Sequence, residues 1–178
     1  MCVSSWNNRL FFQTDEVRQI REAVAGTIVG VGQIFDVLQH NAETTYIVYS
    51  DIYNNLFIVK AARQNSNFDF QRRFLGKGCQ SVAITSHKNN LIIAFVRNIN
   101  QSSNTVQTGF FTVSHDLSSQ TFDTHFQNPE TITSATFIKN APRPMLILAN
   151  SNRSFLRTTE DAEEGRGAVR INVTVNIL

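Results

Sequence analysis

Residues 81–98 read SVAITSHKNNLIIAFVRN, and how this stretch folds decides the architecture. Positions 81–85 read as a short alternating strand with Val82 and Ile84 on one face, HKNN at 87–90 interrupts it, and LIIAFV at 91–96 is continuously apolar. Alternation suits a half-buried strand, whereas a short apolar run flanked by turn residues suits a strand covered on both faces. A strand covered on both faces needs a packed layer on each side. One hairpin cannot provide that.

Comparable pairs of segments lie on either side. A short first strand is expected at 34–38 and 132–138, and a more apolar second strand at 46–49 and 145–149. Third strands are expected at 56–59, 106–113 and 154–157. Fourth strands, with alternation or charge, are expected at 68–74, 121–126 and 169–178. Phe-Asp occurs in the first two of these outer strands, at 68–69 and 122–123. Paired Asn at 54–55 is hairpin punctuation, because Asn tolerates positive φ. Four strands per unit, recurring at intervals of about fifty residues, are the pattern of a β-propeller blade.

The expected fold is therefore all-β and propeller-like. It has about three four-stranded units within one domain over 1–178: 34–79, 80–130 and 131–178. No Trp-Asp, Gly-His or Asp-box signature accompanies the repeat, and the single tryptophan is Trp6. A β-sandwich or jelly roll, also built from short strands at regular spacing, is the alternative.

The segment 1–33 reads in two ways. Thr14-Asp15-Glu16 resembles a helix N-cap, and Val17, Ile20 and Val24 recur at helical spacing, so a short helix is expected over 15–25. Alternatively the segment is an incomplete first unit, with 9–13 as one of its strands. The chain would then hold three and a half units, and two copies would close a ring of seven.

Composition narrows the function classes. Apolar residues make up 42% of the 178 residues and charged residues 17%, which excludes a disordered chain, and fourteen Phe favour pleated, half-buried surfaces. The net charge of +2 comes without a basic stripe, and the densest positive cluster is Arg72, Arg73 and Lys77, which argues against a nucleic-acid partner. The first residues, MCVSSWNNRLFF, lack a signal-peptide pattern, and no stretch resembles a membrane span, so membrane insertion is not expected. Sequons occur at Asn100, Asn152 and Asn172. The sequence carries no address that fixes a compartment.

No catalytic constellation emerges. His40 and His87 follow the first strands of consecutive units, as exposed turn residues would. His115-Asp116 are adjacent, so on a continuing strand they point to opposite faces. Asp123 and His125 share a face, but on an outer strand they read as a solvated pair. Cys2 and Cys79 have no metal spacing and read as free thiols. GTIVGVGQ at 26–33 matches neither phosphate-loop pattern, and EDAEEGRG at 160–167 lacks calcium-loop spacing. No catalytic residue, binding residue, metal ligand or cofactor is nominated.

The expected function is a non-enzymatic protein-interaction or structural module, with a protein partner or self-association. Two alternatives stand beside it. One is a carbohydrate-binding propeller taking a glycan at loop residues such as Tyr53 and Asn54, and the other is a viral or phage jelly-roll structural protein.

Overall fold

The structure, a computed structural model, describes residues 3–6, 9–13, 19–22, 28–32, 34–64, 67–77, 79–100, 105–126, 132–138, 141, 143–150, 154–158 and 169–171. The chain is all-β, and its strands form four antiparallel sheets of four strands each. The first sheet holds β1 (Val3–Trp6), β2 (Arg9–Gln13), β3 (Gln19–Glu22) and β4 (Ile28–Val31). The second holds β5 (Ile34–Gln39), β6 (Thr44–Ser50), β7 (Asn55–Gln64) and β8 (Asn67–Lys77). The third holds β9 (Ser81–His87), β10 (Asn90–Asn100), β11 (Thr105–Ser114) and β12 (Gln120–Phe126). The fourth holds β13 (Ser134–Phe137), β14 (Met145–Ala149), β15 (Ser154–Thr158) and β16 (Val169–Ile171). Every strand pairs with its neighbour in sequence, so each sheet is a simple meander.

Two expectations for the N-terminal segment need correction. Where a helix was expected over 15–25, Gln19–Glu22 forms β3, paired with both β2 and β4, while 15–18 and 23–25 lie outside the described residues. Where half a unit was expected, four strands form a sheet among the described residues, with the expected strand at 9–13 as β2, so the described residues hold four sheets rather than about three. The physical reason is tertiary. Ile20 is completely buried among Val37, Ile47, Tyr49, Val59 and Ala61 of the second sheet. A one-sided helix of three turns is marginal alone, and burying a β-branched residue against a ready-made sheet outweighs it. The glycine-rich run becomes β4, with a register shift opposite β3. Gly32 then passes so close to the second sheet that an added Cβ would meet the Ser50 carbonyl oxygen and lie 2.9 Å from Tyr49 Cδ2. Gly32→Ala is therefore expected to cost about 1–3 kcal/mol, as overpacking does. A urea melt checks this, and an unchanged midpoint would refute the close approach.

The central run reads as the periodicity demands. On β10, Leu91, Ile93 and Phe95 point into one core with Leu38, Tyr46, Val48, Leu56 and Ile58 of the second sheet. Ala94 and Val96, on the opposite face, join Ala135, Phe137, Leu146 and Leu148 of the fourth, with Ile132 just ahead of β13. Consecutive sheets are thus stacked face to face, and alternation on one strand feeds two cores. The outermost strand of the second sheet is largely exposed along Asp69–Arg72.

Turn chemistry sets the register. Asn54 takes φ 58° in the β6–β7 hairpin, and Lys88 takes φ 53° in the two-residue β9–β10 turn, where His87 pairs with Asn90. Asp51 organises the first of these, since its carboxylate accepts from the Tyr53 and Asn55 amides at 2.8 Å each. Leu117 holds φ 60° in the β11–β12 turn while its side chain stays buried in the core between sheets two and three. That burial offsets the 1–2 kcal/mol or so that a left-handed residue costs.

Candidate functional site

The seam between the second and third sheets is where the chain places its polar chemistry. The first strands lie side by side there: β1 packs on β5, β5 on β9 and β9 on β13. Each first strand is the edge of its own sheet, so its outward amides lack a ladder partner and need another acceptor. Asp36 on β5 supplies one. Its Oδ1 accepts from Val37 N–H at 2.9 Å and its Oδ2 from Ile84 N–H on β9 at 3.0 Å. At the next seam Ser81 Oγ accepts from Ala135 N–H at 3.0 Å and donates to the Ala135 carbonyl at 3.3 Å. Side chains of one sheet thereby close the exposed edge of the next.

The outer end of the same seam is locked differently. Arg73 on β8 donates from Nε to Gln120 Oε1 at 2.9 Å and from Nη1 to the Leu117 carbonyl. Gln120 in turn donates to the Leu75 carbonyl at 3.3 Å. Between the two locks the seam is apolar, and it contains Cys79, free and buried, whose thiol burial pushes up to about 11. A thiol held that high stays protonated near neutrality and is a poor nucleophile. Cys2 lies outside the described residues.

Three rings gather at the turn end of the seam. His40, in the β5–β6 turn, meets His115, in the β11–β12 turn, edge to face with centroids 4.4 Å apart. Tyr46 lies 6.0 Å from His40 and 5.9 Å from His115, and its hydroxyl donates to the His115 carbonyl at 2.8 Å. Burial and then Asp116 push the Tyr46 phenol up to about 12, so it is a hydrogen-bond donor at every physiological pH. His115 Nε2 is buried and has no hydrogen-bond partner. Burial, then the neighbouring His40, hold the His115 imidazole below the ordinary histidine range; Lys60 adds to this and a hydrogen bond with the Asn90 backbone opposes it.

No protein-family model matches this chain, and no curated protein matches it in sequence. The cluster must therefore be judged on its chemistry alone. His115 and Asp116 do not act as a pair. The Asp116 carboxylate accepts from the Ser114 hydroxyl at 2.6 Å and the Ser118 hydroxyl at 2.7 Å, while the His115 ring turns toward the seam. Those bonds hold the Asp116 carboxyl well below the usual carboxylate range, so it stays an anion. His40 and His115 could offer two nitrogen ligands, but a metal centre needs further donors. Among the described residues no group of three or more His, Cys, Asp or Glu converges on one point. His87 ends β9 beside the exposed Lys88-Asn89 turn. Asp123 and His125 lie on β12, with side chains outside the described residues, as is the acidic loop at 160–167. Asn100 ends β10, while Asn152 and Asn172 are outside the described residues. No helix among the described residues is long and apolar enough to cross a membrane.

The contact between His40 and His115 has no signature in sequence. In sequence they lie 75 residues apart in separate units, and only stacking of two meanders brings them together. It has a measurable consequence. A histidine whose folded pKa is depressed contributes stability above its unfolded pKa, which is lost as pH falls through the folded value. The protein is therefore expected to lose stability below about pH 6.5, and His115→Gln should flatten that slope. Chemical denaturation at pH 5, 6 and 7.5 measures it, and a variant that keeps the wild-type slope would refute the assignment to His115.

Proposed function

We propose that the chain is a propeller-like β scaffold that works through protein contacts rather than by catalysis. The architecture reading draws support from sequential meander sheets, from first strands packed side by side, and from edge-closing bonds such as Asp36–Ile84. A jelly roll would instead interleave strands distant in sequence, as its Greek-key connections require.

The observation that carries the functional reading is the chemistry of the outer strands. Phe74 on β8 and Phe122 on β12 are about half exposed, at 51% and 45%. Each packs on a phenylalanine of the third strand, Phe57 at 5.6 Å and Phe111 at 4.9 Å. Each aromatic group also carries a guanidinium: Arg72 sits 4.7 Å over Phe57, and Arg97 sits 5.6 Å over Phe122. Exposed aromatic and arginine side chains on rigid strands are the composition of interface cores.

The test is reconstitution. A partner captured by cross-linking should form a stoichiometric complex from purified components, and the Phe74→Ser/Phe122→Ser double variant should weaken it at least tenfold while keeping its β circular-dichroism spectrum. Turnover of ester, glycoside or phosphoester substrates that disappears in His115→Gln would overturn the non-enzymatic reading. A glycan-binding role has one observation in its favour, the 75% exposure of Tyr53 at the β6–β7 hairpin tip. A glycan array followed by Tyr53→Ala decides it.

A further inference from the structure

The fourth sheet has one face that its neighbours' counterparts do not leave open. In the second sheet, one face buries Val37, Ile47 and Tyr49 against the first sheet, and the other buries Leu38, Val48 and Ile58 against the third. The third sheet is likewise covered on both sides. In the fourth, Leu146 and Leu148 face the third sheet. Alternation puts Met145, Ile147 and Ala149 on the far side, and the pairing of Ile147 with Leu156 places Leu156 beside them. None of these four joins a buried cluster, and all remain partly exposed. Thr136, paired with Ile147, is exposed on the same face.

We infer that this far face is covered by the first sheet of a second copy, joined head to tail so that two chains close one ring of eight sheets. The inference rests on the propeller-like reading above. Continuity with the existing interfaces identifies the occupant. At each of the three junctions within the chain, the face turned toward the next sheet meets a four-stranded meander, and consecutive first strands pack together. A copied junction would set β13 against β1 of the partner copy. Closure limits the number of copies. Propellers close with about four to eight sheets, and here no strand of the first sheet packs extensively on a strand of the fourth among the described residues. Four sheets leave the arc open, eight lie within the range, and twelve exceed it. A head-to-tail contact forms a ring when its rotation closes, and two identical junctions suffice here.

The experiment uses the purified chain in sedimentation velocity, with light scattering for mass. The expected particle is twice the 20.1 kDa of one chain. Ile147→Lys places a charge in the proposed junction and should weaken the dimer on the order of a hundredfold, leaving a monomer with an unchanged β spectrum. Thr136→Lys probes the same face from an exposed position, so the test stands even if the first variant unfolds. A wild-type monomer at tens of micromolar, a dimer indifferent to both variants, or open filaments that lengthen with concentration would each overturn the ring. Those outcomes leave the serial stack intact. That reading has a separate readout: hydrogen exchange in which β9–β12 protects no better than a terminal strand would overturn the stack itself.

Discussion

Phe95→Ala is expected to lower the unfolding free energy by about 3–5 kcal/mol, the range for emptying a large aromatic site in a packed core. Phe95 is 2% exposed in the seam between the second and third sheets. Its ring lies 5.2 Å from Phe111 and stacks on Phe122 at 5.7 Å with an interplanar angle of 15°. The Arg97 guanidinium sits 5.3 Å from its centroid, and burial lowers the pKa of that arginine. The truncation removes the most deeply buried ring of this trio and leaves a void that rings anchored on two other strands cannot fill. For a domain of this size the loss corresponds to a melting point lower by roughly 6–20 °C. Phe122→Ala, at the solvent end of the same stack, should cost no more than about 1.5 kcal/mol. Urea and thermal melts measure both. Equal losses at the two positions would mean that the seam is not the main core.

Asp36→Ala should be the most damaging polar substitution, at about 2–4 kcal/mol. One carboxylate accepts the Val37 amide and, across the seam, the Ile84 amide. Hydrogen bonds to a charged acceptor contribute more than neutral ones, and removing the acceptor leaves an amide at a sheet edge without a partner. Asp36→Asn keeps one oxygen and should recover about half of the loss. Ser81→Ala removes the neutral counterpart at the following seam and should cost about 1 kcal/mol. Hydrogen exchange locates the effect: the Ile84 amide should exchange much faster in Asp36→Ala, while amides in the middle of β10 stay protected. An Ile84 amide that exchanges at its wild-type rate would show that Asp36 does not close this edge.

Much of the second, third and fourth sheets was legible in the sequence, because their information is local. The six-residue apolar run in β10 could be satisfied only by cover on both sides, and Leu91 and Ala94 indeed enter different cores. Asn54-Asn55 marked a turn because asparagine accepts the positive φ that this turn requires. The charged, alternating β8 read as an outer strand and is largely exposed. The first sheet was legible only in part: the strand expected at 9–13 is β2, whereas Gln19–Glu22 read as helix. The spacing of Val17, Ile20 and Val24 favours a helix, and the energy that selects the strand at Gln19–Glu22 comes from residues 37–61, which bury Ile20.

The candidate site divides along the same line. His40 could be assigned to a turn from its neighbours, since turn preference is a property of a few adjacent residues. The meeting of His40 with His115, the bond from Tyr46 to the His115 carbonyl, and the reach of Asp36 to Ile84 are contacts between sheets. Sequence alone determined an all-β chain, because strand periodicity and turn chemistry act over a few residues. The tertiary structure decided that the N-terminal segment contributes a further sheet, which side chains bridge the seams, and which face of the last sheet stays only partly covered. Those outcomes depend on the order and register in which whole sheets stack, and no local pattern encodes that.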